Sequence, residues 1–203
     1  MAIWDKFRLD GRVALITGAG RGIGAKIATT FAEAGADIVI AARTEEDLFR
    51  VSSEIKAFGQ QVVCSRTDVL EKSQLEDLIG EVAAHFGRLD ILVNNAGGYP
   101  PKPFLETKAD EFDYSMRFNV MSAYVLTQLA VPLLTEKDSS GVVLNISSVV
   151  GEFPAPGFSA YGTSKSALSF LTRELAQELA PRIRVNAIGV GSTKTSALEA
   201  ILT

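Results

Sequence analysis

The chain is poor in the residues on which nucleophilic and metal chemistry most often depend. It holds one cysteine, Cys64, and one histidine, His85, in 203 residues. A single thiol excludes an internal disulfide and fits a reducing cytoplasm. A lone imidazole excludes histidine clusters around a metal, and no metal site is expected. His85 falls near a helix C-terminus and reads as solvated. Cys64 lies in an apolar strand and reads as core. Runs of Lys and Arg are missing as well. The 20 basic and 24 acidic residues leave a net charge of −4, which argues against a nucleic-acid partner. No apolar run is long enough to cross a bilayer. Met1–Arg8 lacks the apolar core of a signal peptide. With no repeat, linker or low-complexity tract to divide it, residues 1–203 read as one domain. Their 47% hydrophobic content supplies a sizeable core.

What the chain does have is alternation. Apolar runs at Val13–Thr17, Asp37–Ala41, Gln61–Ser65, Ile91–Asn94, Val142–Ile146 and Arg184–Ala187 read as strands. Helical periodicity fills Ile23–Ala34, Glu45–Phe58, Ser73–Phe86, Ala109–Leu134 and Ala160–Leu179. Pro132 predicts a kink or stop near the end of the fourth. Near-continuous apolar strands alternating with helices predict an α/β fold. Its form is a doubly wound parallel sheet, a Rossmann-like three-layer sandwich. Ser192–Thr203 reads as a loop leading into a short helix.

Thr17-Gly18-Ala19-Gly20-Arg21-Gly22-Ile23-Gly24 stands where the first strand passes into the first helix. Glycines there permit positive φ and close approach of a pyrophosphate, and the helix start offers free N–H groups. A tight turn without a ligand is the alternative. At the end of the second strand, an acid would take the ribose 2′-hydroxyl of NAD. Ala41-Ala42-Arg43 stands there instead. Arg43 and Arg21 together suit a 2′-phosphate, so NADP(H) is favoured and NAD(H) is the other option. A solvated role for Arg43 stays open.

Thr17–Gly24, Asn94-Asn95-Ala96-Gly97, Asn119, Ser148 and Tyr161…Lys165 together resemble the short-chain dehydrogenase/reductase family. The likeness runs along nearly the whole chain, in the family's order. Bacterial hydroxysteroid dehydrogenases and 3-oxoacyl-carrier-protein reductases look most similar. The resemblance implies a nicotinamide-dependent oxidoreductase with Asn119, Ser148, Tyr161 and Lys165 as its catalytic group. A free phenol titrates near ~10, and an ammonium one helical turn away lowers that. Tyr161 would exchange a proton with the substrate oxygen. Lys165 would also hold the nicotinamide ribose. Ser148 stands at the family's spacing, thirteen residues before the tyrosine, and would bind the reacting oxygen. Ser147 reads as a backbone tie. Asn119 would hold a proton-relaying water, with a solvated helix position as the alternative. Cofactor contacts are expected from Gly18, Arg21, Gly22, Ile23, Gly24, Arg43, Asn95, Ala96, Gly97 and Thr195, besides Tyr161 and Lys165. Asp68 and Val69 resemble an adenine-contacting pair, though Asp68 equally reads as a loop cap.

Two loops, Gly98–Pro101 and Gly151–Phe158, flank this centre with aromatic and apolar residues. They suit a small hydrophobic carbonyl or alcohol substrate, steroid-like or 3-oxoacyl. Tyr99, Phe153 and Phe158 read equally as wall or as packing. Val190-Gly191 departs from the family's Pro-Gly. Relatives also run about fifty residues further. The chain therefore looks to lack the last strand and helix, which would leave the sixth strand an exposed edge. Relatives use that part in dimer and tetramer contacts, so a homo-oligomer is expected. A cofactor-binding sensor or scaffold without turnover, and a subunit active only with another chain, are the alternatives.

Overall fold

The computed structural model describes residues 3–136 and 140–195. Six strands form one parallel sheet in the order β3-β2-β1-β4-β5-β6. They are β1 (Val13–Thr17), β2 (Asp37–Ala42), β3 (Val62–Arg66), β4 (Ile91–Asn94), β5 (Gly141–Ser148) and β6 (Ile183–Val190). The helices are α1 (Gly22–Glu33), α2 (Glu45–Lys56), α3 (Lys72–Phe86), α4 (Ala109–Met116), α5 (Ser122–Leu134) and α6 (Ser159–Glu178). Central strands are buried on both faces, which is why they read as unbroken apolar runs. Alternate residues of β1 serve different layers. Ala14 and Ile16 pack with Ala28 and Ala32 of α1 and Leu48, Val51 and Ile55 of α2. Val13 and Leu15 face Leu78 and Val82 of α3 and Leu126 and Ala130 of α5. The result is the expected three-layer sandwich.

The order reverses between β1 and β4, and the crevice beyond their carboxyl ends is where open sheets of this kind bind ligands. β1 is pinned to β4 by Asp90. Its carboxylate accepts from the Val13 amide at 2.9 Å, from Arg12 at 2.9 Å and from Arg88. Burial pushes the Asp90 carboxyl up, but the bonds from Arg88, Val13 and Arg12 outweigh it and hold it below its ordinary value.

Two expectations need correction. The helix expected over Ala109–Leu134 is not continuous: a π-helical turn, Arg117–Met121, separates α4 from α5. Its cause is Asn119, whose side-chain N–H donates to the Ser115 carbonyl at 2.9 Å. A continuous α-helix would offer that carbonyl to the Asn119 backbone amide, so the turn widens. Pro132 leaves α5 only two residues to run, as expected. Cys64 is exposed rather than core, because β3 is the edge strand of the sheet. β6 forms the other edge among the described residues, with Ile188 48% exposed. The short helix expected within Ser192–Thr203 falls largely outside the described residues.

Candidate active site

A cleft of about 660 Å³ runs along the carboxyl ends of the strands. At its floor, Gly18 and Gly22 take φ of +63° and +57°, a region costly for other residues. The loop is fastened from three sides. Thr17 Oγ1 accepts from the Asn95 and Ala96 amides, each at 3.1 Å. Asn95 Nδ2 donates to the carbonyls of Thr17 and Gly18 at 2.9 and 3.1 Å. Arg50 Nη2 donates to the Gly20 carbonyl at 2.7 Å. The α1 N-terminus opens beside this loop with no side-chain cap and no acid in its first turn. Unsatisfied amides, a positive helix end and a floor without Cβ atoms fit the pyrophosphate of a dinucleotide.

Most expected site residues line this one cleft. Arg21, Gly22, Ile23, Arg43, Asp68 and Val69 line it. Ala96, Gly97, Ser148, Tyr161 and Lys165 line the same cleft, as does Thr195, whose methyl group lies over Gly22. Gly24 is different. It lies beneath the loop, where a Cβ would meet Asn95 Nδ2 and the Gly18 carbonyl at 2.4 Å. Packing therefore requires a glycine there, and it is not among the residues that line the cleft. Asp68 caps its own loop, its Oδ1 accepting from the Leu70 amide at 3.0 Å. Tyr99 and Phe158 line the cleft, whereas Phe153 points to solvent at 74% exposure.

Tyr161 and Lys165 stand one turn apart in α6, with Lys165 Nζ 5.7 Å from the phenol ring centre. Lys165 is buried, and Nζ donates to the Ile146 carbonyl at 2.8 Å. Burial lowers its pKa to about 8. Burial raises the Tyr161 phenol, and a hydrogen bond with Ser148 pulls the other way. Ser147 is a tie, as expected: its hydroxyl donates to the Lys165 carbonyl at 3.1 Å and pairs with Ser169 at 2.8 Å. Asn119 is 1% exposed, which removes the solvated alternative. Its Oδ1 accepts from the Gly98 amide at 2.8 Å. Gly97 separates it from Lys165; a Cβ there would lie 2.6 Å from Asn119 Oδ1 and 3.1 Å from Lys165 Nζ.

Three contributors escape sequence reasoning. Thr17 and Arg50 act by holding the loop. Asp47, on α2, brings a carboxylate into the cleft beside Gly20 and Ala42, although β2 itself ends without an acid. It lies 3.6 Å from Arg50, an i,i+3 pairing on α2 that is visible only once the helix is known.

Residues 12–203 match the model of the short chain dehydrogenase family. The chain belongs to that family. It is therefore an NAD(P)-dependent oxidoreductase whose class transfers hydride to and from small carbonyl or alcohol substrates. An uncharacterized oxidoreductase of Mycobacterium tuberculosis is 48% identical over 199 residues, which are 98% of this chain and 76% of that protein. The 7alpha-hydroxysteroid dehydrogenase of Escherichia coli K12 is 42% identical over 98% of this chain and 78% of its own. A solved 7alpha-hydroxysteroid dehydrogenase, complexed with NADH and 7-oxo glycochenodeoxycholic acid, superposes with a TM-score of 0.95 at 40% identity. It covers all of this chain and 79% of that one. Among the described residues, no helix is long and apolar enough to cross a membrane.

Proposed function

We propose that this single dinucleotide-binding domain reduces a hydrophobic ketone, or oxidises the matching secondary alcohol, with NADP(H). The observation that carries the reading is the pairing of Tyr161 with Lys165 on the cleft that begins at the glycine turn. Bound nicotinamide supplies or accepts the hydride at the substrate carbon. In reduction, Tyr161 Oη gives its proton to the substrate oxygen; in oxidation it takes one. Ser148 donates to the same oxygen as charge builds there. Lys165, while charged, stabilises the phenolate left behind. Asn119 keeps Gly98 and the floor beside Lys165 in place, and the relay of protons to Lys165 passes on this side. Tyr99, Pro100 and Phe158 form an apolar wall suited to a ring or chain rather than a polar group.

The phosphorylated cofactor is favoured by two cleft-lining guanidinium groups, Arg21 in the glycine loop and Arg43 just past the end of β2 at Ala42. The Asp47 carboxylate there faces Arg50, which offsets its charge. The solved relative bound to NADH makes this the point to test. Arg43→Asp should weaken NADPH by roughly 10- to 150-fold, the worth of a charged hydrogen bond, and spare NADH. Equal weakening of both, or native preference for NADH, rejects NADP(H). A homo-oligomer in the cytoplasm, dimer or tetramer, belongs to the same reading. Its support is the single thiol and exposed Phe112, Tyr114, Met121 and Tyr124; gel filtration reads the assembly.

The test of the chemistry is oxidation of NADPH with a panel of ketones. Tyr161→Phe should lower turnover by about 10²- to 10⁴-fold with cofactor binding kept. Wild-type rates in that variant eliminate the proton role and restore the sensor or scaffold reading.

A further inference from the structure

One carboxylate stands behind the wall of the cleft. Glu111, in the first turn of α4, receives Lys102 Nζ on both oxygens at 2.9 Å. It also accepts the Lys108 amide at 2.9 Å, and the Tyr99 phenol lies near enough to feel its charge. Glu111 and Lys102 are each about a third exposed, at 30% and 32%. The backbone N–H of Lys102 donates to the Gly157 carbonyl at 2.8 Å, which joins the 98–103 segment to the 151–158 loop. Both loops contribute to the cleft, through Tyr99 and Pro100 on one side and Phe158 on the other. The Gly98 end of the segment is held by Asn119. So the segment is fixed at both ends, and Glu111 makes the outer anchor.

We propose that Glu111 is a positioning residue for substrate: by holding Lys102 it sets the spacing of the two loops and selects a bulky ketone that touches both. The proposal rests on the ketone reading of the cleft. A small ketone needs only Ser148 and Tyr161, whereas a fused-ring ketone must also fit between Tyr99 and Phe158. The Lys102 ammonium and the Lys108 amide hold the Glu111 carboxyl down at about 2, so the anchor stays charged throughout the working pH range.

The test compares 2-decalone with cyclopentanone as probes. Glu111→Gln keeps an acceptor for the Lys108 amide but removes the ion pair. It should raise KM for 2-decalone about 10-fold, while kcat, KM for cyclopentanone and the Kd of NADPH stay within about 2-fold. Lys102→Met should do the same, and the double variant should add little, since both remove one contact. Exchanging the charges, Glu111→Lys with Lys102→Glu, should recover most of the loss. An unchanged 2-decalone KM overturns the proposal. So does a fall in kcat and NADPH affinity accompanied by a rise in both KM values, which would mark general loss of structure. If Glu111→Gln fails to fold, Lys102→Met reads the same contact. Failure of the underlying reading looks different: Tyr161→Phe would then keep wild-type turnover on both ketones.

Discussion

Gly97→Ala puts a single methyl between Asn119 and Lys165, two residues given a part in the proposed chemistry. Its Cβ would stand 2.6 Å from Asn119 Oδ1 and 3.1 Å from Lys165 Nζ. Ordinary contact begins at 3.4 Å, so the asparagine oxygen must retreat by about 0.8 Å (from 2.6 to 3.4 Å). It has little freedom to do so. Oδ1 is held by the Gly98 amide at 2.8 Å, and Nδ2 by the Ser115 carbonyl at 2.9 Å. Lys165 Nζ is anchored on the Ile146 carbonyl at 2.8 Å. Overfilling a packed site costs about 1–3 kcal/mol, which for a chain of this size lowers the melting temperature by several degrees. A displacement approaching 1 Å costs about 10²-fold in rate. Thermal melts and kcat/KM for ketone reduction check both figures. Gly80→Ala is the control. Its position in α3 has open space around it, so alanine should add about 0.5–1 kcal/mol of stability and leave kcat/KM alone. A Gly97→Ala protein with native kcat/KM would refute the view that Asn119 and Lys165 must hold these positions.

Two further expectations concern titration. In the cofactor-free protein, burial lowers Lys165 to about 8, so the ammonium is present below that pH and lost above it. Reduction measured as kcat/KM for NADPH should be level from pH 6 to 8 and then fall about tenfold per unit; a level profile to pH 9.5 contradicts the role given to the lysine. Asp90 has a folded pKa below its unfolded one, so its contribution is present above about pH 4 and lost as pH falls through the folded value. Asp90→Asn should cost about 3 kcal/mol at neutral pH by urea melts, with the gap to wild type narrowing toward pH 3; a constant gap would show that its charge is not what matters.

Much of this was legible in the chain because the signals are local. β1 and β4 match their expected bounds, since each is a short apolar run ended by a turn residue. β5 runs two residues past expectation because Ser147 and Ser148 satisfy their hydroxyls within the fold and need not end the strand. Cys64 misled because an edge strand and a central one carry similar residues, and only sheet order separates them. Periodicity could not reveal the π turn either. Arg117–Met121 keeps helical spacing in sequence, and what widens it is a side chain bonding one turn back. Asp90 was silent because its partner Val13 lies 77 residues away.

The placement of the site also depends on polar groups beneath it. Asn94 and Asn145 oppose one another across the β4–β5 pair, joined at 2.8 Å from Nδ2 to Oδ1. Asn94 continues to Thr127 of α5 at 3.1 Å, and Asn145 to Thr172 of α6 at 2.9 Å. Apolar contact alone lets a helix slide or roll on a sheet, because dispersion is not directional. A buried hydrogen bond is directional, and breaking one leaves an unpaired polar group at a cost of about 1–3 kcal/mol. This chain of four side chains therefore fixes the rotation of α5 and α6 about their axes. α6 carries Tyr161 and Lys165, and α5 continues from the turn that carries Asn119. The next residues along β4 and β5 do the rest, Asn95 gripping the glycine loop and Ile146 gripping Lys165. The phenol, the ammonium and the glycine loop thus share one frame of reference, the central strand pair, which is how groups so far apart in sequence keep one geometry.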